Sequence, residues 1–343
     1  MFSFASYIDL PLVWGGIIAV AVLLYVLLDG FDLGIGILFP FARDDTFRNR
    51  MVNSIAPFWD GNETWLVLGG GGLFAAFPLA YSIVMPAFYI PIILMLVCLI
   101  FRGVAFEFRF KAEASRQFWD FGFHFGSLGA AFMQGIILGG IVQGVTVKDR
   151  AFAGGPFDWL TAFSVMTGVA LVVGYILLGS TWLYMKSHGE LQVWARKTAR
   201  YSFIYILGFM ALVSLWVPFL DNDIGQRWFS GNHLYMLMPI PAITAALFVC
   251  LWVSLRPRDK GQEKDHLPFL FSLGIFVMGY IGLAVSMWPH IVPYSVTIWQ
   301  AAAAPESQSL LLVGVVIMLP IILAYTGWCY YIFRGKATDE PTY

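Results

Sequence analysis

Four acidic residues stand where an apolar chain has least reason to keep them. Asp29 and Asp32 occur in Leu28-Asp29-Gly30-Phe31-Asp32-Leu33-Gly34, inside the first apolar run. Asp60 and Glu63 occur in Trp59-Asp60-Gly61-Asn62-Glu63-Thr64-Trp65, just before the apolar run that opens at Leu66. An unpaired charge at the centre of a membrane helix costs about 2.5–3.5 kcal/mol on insertion scales, so such carboxylates mark proton or ion routes or bond to a neighbouring helix. Spacing of three puts Asp29 and Asp32 on neighbouring parts of one helix face. Asp60 and Glu63 share that spacing and fit a capping box, Asp60 accepting from the first free amides and Glu63 reaching back. Acidic residues also suit the positive end of a helix dipole. A cap does not need Gly61, Asn62, Thr64 or a Trp on each side, so a second role as a proton entry stays open.

A third charged stretch is Phe101-Arg102-Gly103-Val104-Ala105-Phe106-Glu107-Phe108-Arg109-Phe110-Lys111. Arg102 is the one base inside the expected spans, and Glu107 stands between basic residues. A snorkelling salt bridge at the interface is the ordinary use of such a carboxylate. Asp29 lies roughly 26 Å along the helix axis from Leu12 at 1.5 Å per residue. Asp60, Glu107 and the Asp29/Asp32 pair therefore converge on one leaflet, the layout of a proton inlet.

The elements that position these groups are membrane helices. Of 343 residues 59% are apolar and 12% charged, and the mean hydropathy is +0.75, which excludes a soluble globule. A net charge of -1 gives no basis for nucleic-acid binding. A span needs roughly 17–25 residues, and nine can be drawn: Leu12–Leu38, Thr64–Ser82, Ile83–Ala105, Phe121–Val142, Trp159–Tyr184, Phe203–Leu220, Leu234–Leu255, Leu267–Met287 and Leu310–Phe333. The second and third also read as one hairpin broken around Pro78 and Pro86. Of the 20 basic residues only Lys148, Arg150 and Arg227 fall on one side. Basic loops stay cytoplasmic, which predicts the N-terminus outside, the C-terminus inside and an odd number of spans. The first run has neither a basic n-region nor a small-residue cleavage site and is expected to be retained.

No linker divides the chain, so residues 1–343 are read as one membrane domain. Cys98, Cys250 and Cys329 lie in apolar spans and offer no disulfide framework. Of the five histidines only His124 lies within a span, and no metal or phosphate motif occurs. Gly30-x-x-x-Gly34, Gly135-x-x-x-Gly139, Gly140-x-x-x-Gly144 and Gly69 to Gly72 predict close helix approach; the four successive glycines also leave room for a ligand tail or partner helix. An aromatic share of 17% fits an interfacial belt, and a quinone ring would favour the same surfaces.

The stretches Asp29 to Gly36, Asn53 to Leu66, Leu73 to Pro78, Phe101 to Glu107 and Tyr325 to Tyr331 together resemble subunit II of cytochrome bd-type quinol oxidases, over nearly the whole chain and in the family's order. The cyanide-insensitive branch is the most similar. The resemblance implies an all-α fold of two four-helix bundles plus a peripheral helix, in a bacterial inner-membrane heterodimer. Subunit I would carry haem b and, commonly, haem d, oxidise quinol and reduce oxygen to water, while this chain binds no haem. Some members hold a structural quinone in subunit II, and small accessory subunits occur. By the family's pattern Asp60 is the cytoplasmic mouth of a proton path and Glu107 its relay. Asp32 is then a polar support with Asp29 beside it, and Trp59, Asn62, Glu63 and Arg102 assist. The compact outer segments Asp221 to Asn232 and Trp288 to Ser309, and His124, depart from the pattern. The competing reading is an ion-coupled secondary transporter using Asp29 and Asp32, against which stand the absence of an inverted repeat and of paired broken helices.

Overall fold

A computed structural model describes residues 8–111, 114–231, 233–257 and 264–338. Arg258 and Lys260, which contribute to the basic-loop count, lie outside the described residues, as does Asn232. The chain is helical almost throughout, as expected. Its helices are α1 (Leu10–Leu38), α2 (Asp45–Ile55), α3 (Trp59–Ala76), α4 (Pro78–Ala87), α5 (Tyr89–Phe108), α6 (Arg116–Gln143), α7 (Ala162–Lys186), α8 (Gly189–Trp216), α9 (Asn222–Phe229), α10 (His233–Leu237), α11 (Pro239–Ser254), α12 (Leu267–Met287), α13 (Ile298–Ala301) and α14 (Pro305–Ile332). Two small hairpins, β1 (Val147–Lys148) with β2 (Ala151–Phe152) and β3 (His290–Val292) with β4 (Val296–Thr297), are antiparallel. The first turns through Asp149 and Arg150, both at positive φ, the conformation a two-residue hairpin loop demands.

Eight described segments have the length and apolar composition to cross a membrane. The exception among the expected nine is the second, Thr64–Ser82, which falls on α3 and α4. Pro78 cannot donate to a helix ladder, so the helix breaks at Phe77 (φ -135°, ψ 62°) and α4 begins at Pro78. A second break follows at Phe88, moving the start of the third expected span from Ile83 to Tyr89. The break frees the Ala76 carbonyl, and the protein uses it: Ala303 N and Gln308 Nε2 donate to it at 2.9 and 3.0 Å. Gln308 O in turn accepts from Trp14 Nε1 at 3.1 Å, which ties α14 to α1 at that rim.

Helix α1 is the hub, packing on α3, α6 and α7, and α5 pairs with α6. Helices α7, α8, α11 and α12 pack on one another, and α14 lies outside against α1 and α3, with Gln308 its one buried residue. Close approach of α1 and α7 requires glycine on both. A Cβ on Gly34 would lie 1.9 Å from the Tyr175 carbonyl oxygen, and one on Gly179 would lie 2.7 Å from the Gly34 carbonyl carbon. This α1–α7 seam carries residues 29–38 of α1, all buried, past the rest of the core.

Gly34→Ala should cost more than the roughly 1–3 kcal/mol of ordinary overpacking, because the obstacle is backbone. Gly208→Ala, with nothing within 4 Å, should be neutral. Thermal melting of the two purified variants checks this, and equal midpoints would refute it.

Candidate functional site

Arg102 enters the interior because α6 lets it. Gly126 on α6 faces α5 so closely that a Cβ there would lie 2.6 Å from the Cys98 oxygen and 2.8 Å from the Arg102 nitrogen. The guanidinium is 0% exposed. Its Nη1 donates to Glu63 at 2.5 Å and its Nη2 to Asp29 at 3.0 Å, while Asp32 stands 3.9 Å from Nη2. Asp29 and Asp32 are likewise 0% exposed. The Trp59 indole lies with its centroid 5.4 Å from the guanidinium carbon, a cation–π contact. Thus α1, α3 and α5 each contribute charge to one enclosed group.

Asn62 fixes the rest. Its Nδ2 donates to Asp32 Oδ2 at 2.7 Å and to the Leu28 carbonyl at 3.2 Å, and its Oδ1 accepts from the Tyr330 hydroxyl at 3.0 Å. Tyr25, buried one helical turn before Asp29 on α1, begins a second polar chain. Gln134 Nε2 donates to Tyr25 at 2.6 Å, and Gln134 Oε1 accepts from the Tyr175 hydroxyl at 2.8 Å. Sequence reasoning missed Tyr25, Gln134, Tyr175 and Tyr330 as members of the cluster. Gln134 was the findable one, as an amide inside an apolar span; the tyrosines blended into an aromatic-rich composition.

The expected capping box does not form. Helix α3 starts two residues early, with Phe58 at the cap and no side-chain cap bond. Asp60 therefore sits inside the first turn, where it still suits the dipole, and Glu63 turns to Arg102 instead of back to the cap. Asp60 is exposed. Glu107, one and a half turns beyond Arg102 on α5, is exposed too and has no ion pair among the described residues, so the expected salt bridge is absent there. The neighbouring bases turn elsewhere: Arg109 Nε bonds Asp120 at 2.6 Å and its Nη1 donates to Asn49 at 2.8 Å, joined by Arg116 at 2.9 Å. Burial pulls Arg109 below the ordinary arginine range, and Asp120 opposes the shift.

The C-terminal segment closes the same rim. Lys186 at the end of α7 donates to the carbonyls of Phe333 and, at 3.1 Å, Gly335. Its own carbonyl accepts from Ala337 N at 2.7 Å, and Asn53 Nδ2 donates to Thr338 at 3.0 Å. Phe58 stacks on Tyr330 with centroids 4.4 Å apart.

His124 Nδ1 lies 3.3 Å from the Gly36 carbonyl. The other histidines stand apart: His188 before α8, His266 before α12, His233 on α10 and His290 on β3. These donors do not fit a haem with two axial ligands from this chain. An apolar groove of about 590 Å³ lies between α5 and α6, lined by Val97, Cys98, Phe101, Phe121 and Phe125 among others.

Fold and site together define a multi-pass helical membrane protein organised around an enclosed arginine–carboxylate cluster. The chain belongs to the cytochrome bd terminal oxidase subunit II family, whose model matches residues 10–333. Cytochrome bd-I ubiquinol oxidase subunit 2 of Escherichia coli K12 is 31% identical over 372 residues, covering 98% of this chain and 97% of that one. Cytochrome bd ubiquinol oxidase subunit 2 of Bacillus subtilis is 27% identical, covering 95% and 96%. In fold, the chain matches a solved structure of bd oxidase from Geobacillus thermodenitrificans with a TM-score of 0.75 at 17% identity, covering 95% of this chain and 99% of that one. The family and the helical membrane fold read from the sequence are thereby borne out.

Arg102→Met should destabilise the protein by about 3–5 kcal/mol, the cost of stranding buried charges by removing one partner. Arg102→Lys should fall between it and the parent, since a lysine keeps the charge but not the fork. Thermal melting in mild detergent reads the order, and an unchanged midpoint for Arg102→Met would remove the cluster's structural role.

Proposed function

We propose that this chain is the non-haem subunit of a quinol:oxygen oxidoreductase, holding a haem-bearing subunit I and admitting protons from the cytoplasm for reduction of oxygen to water. Haem b and haem d belong to the partner in this reading and supply the redox chemistry. This chain supplies the scaffold and a proton route. We propose nine crossings, with α3 and α4 together as the second, and the α3 N-terminal rim in the cytoplasm, which agrees with the distribution of basic residues.

The observation that carries the inlet is the ladder at the start of α3. Asp60 is exposed at the rim, and one helical turn deeper Glu63 is bonded to the buried Arg102. Beyond it lie Asp29, Asp32 and Asn62. Asp60 is the mouth; the exposed Glu107 is the relay toward the partner, on the face of α5 away from the cluster. Trp59 shields the guanidinium from solvent. A coupling site for transport at Asp29 and Asp32 has no such support, because both carboxylates are enclosed and engaged with Arg102 and Asn62.

Asp60→Asn should leave assembly and the haem spectrum of the complex intact and lower quinol-driven oxygen uptake by on the order of a hundredfold, the lower end of the range for loss of a proton-transfer group. Glu107→Gln should do the same, with electron input from quinol normal and completion of oxygen reduction slowed in single-turnover measurements. Oxygen uptake at the parent rate in Asp60→Asn would end the inlet reading.

A further inference from the structure

We propose that Asp32 holds a proton at the centre of this subunit, as the neutral member of the three carboxyl groups around Arg102. Its part in turnover rests on the inlet reading above; its protonation rests on geometry alone. Of the five N–H donors of Arg102, one on Nη1 goes to Glu63 and one on Nη2 to Asp29, and none reaches Asp32. Asp32 stands 3.9 Å from Nη2, beyond hydrogen-bonding range. Its one donor is a neutral amide, Asn62 Nδ2, and its Oδ1 accepts from nothing among the described residues.

Asn62 cannot be turned round to change this. Its Nδ2 also meets the Leu28 carbonyl, which only accepts, and its Oδ1 meets the Tyr330 hydroxyl. Asp29 is served better. Its Oδ1 accepts from the charged Arg102 Nη2 at 3.0 Å, while its Oδ2, like Asp32 Oδ1, has no partner among the described residues.

With all three acids ionised, one guanidinium would leave the cluster doubly negative, and only Glu63, its side chain 28% exposed, reaches solvent, while Asp29, Asp32 and Arg102 do not. A buried charge without compensation takes up a proton instead. The other groups facing Asp32 do not remove the need. Glu63 and, a turn away, Asp60 on α3 add negative charge; Tyr25, Tyr175 and Tyr330 are neutral. The Lys186 ammonium is held by the Phe333 and Gly335 carbonyls, 5.5 Å from the Phe58 ring centroid.

Infrared spectroscopy of the purified complex, prepared with and without carbon-13 aspartate, tests the assignment. At neutral pH a protonated aspartic-acid carbonyl band should disappear in Asp32→Asn and persist in Asp60→Asn, which leaves the three carboxyl groups around Arg102 in place. Loss of only ionised-carboxylate bands in Asp32→Asn, or disappearance of the protonated band in Asp60→Asn, would overturn it. Tyr330→Phe, which removes only the hydroxyl behind Asn62, gives a second measurement should Asp32→Asn not assemble. The band should then shift in frequency without loss, and an unmoved band would overturn the assignment. Normal turnover in Asp60→Asn would end the inlet reading and leave the band's assignment standing, so the two failures are separable.

Discussion

A guanidinium sealed from solvent has to find its counter-charges inside the protein, and Arg102 finds them on two other helices. Asp29 comes from α1 and Glu63 from α3, so three helices are fixed in register by one side chain. The desolvation of such a group is large and is offset only when geometry and further hydrogen bonds are good. That condition accounts for what surrounds the cluster. Gly126 lets α6 press against α5 at Arg102, and Trp59 covers the guanidinium. Asn62 links α1, α3 and α14 with three hydrogen bonds.

The same constraint explains why the two rims are built differently. At the rim bearing the start of α3, polar side chains and the C-terminal segment gather: Lys186 holds the carbonyls of Phe333 and Gly335, and Asn49 bridges Arg109 and Arg116. At the other rim the work is done by backbone. The break between α3 and α4 exposes the Ala76 carbonyl, and Ala303 and Gln308 satisfy it, which anchors a helix that has Gln308 as its one buried residue. In a medium without water, each freed backbone group needs a partner of this kind. Asp60 and Glu107 are both exposed at the polar rim.

Much of this was legible in the residues. Asp29, Asp32, Asp60, Glu63, Arg102 and Glu107 are conspicuous because charge is expensive in an apolar chain, and the stretches that hold them carry much of the resemblance to the family. What their types could not give was their pairing. Asp60 and Glu63 look like a cap in one dimension, but a cap competes with Arg102 for Glu63, and the buried guanidinium wins because an unpaired buried cation is far costlier than an uncapped helix end. Pro78 signalled a break, though not that it would leave α3 at 18 residues and carry the crossing on into a separate ten-residue helix.

The sequence by itself determined the solvent and the inventory. Long apolar runs impose membrane helices, small residues permit close approach, and the few charges allowed inside have to be matched. The tertiary structure alone decided which charges match, because residues 29, 63 and 102 meet only through the packing of α1, α3, α5 and α6. It also enlisted Tyr25, Gln134, Tyr175 and Tyr330, whose neutral side chains carry no charge signal and become hydrogen-bond partners only when brought beside a buried carboxylate or its amide. Charge is a property of a residue and can be counted along a chain; neutralisation is a property of distance and exists only in the fold.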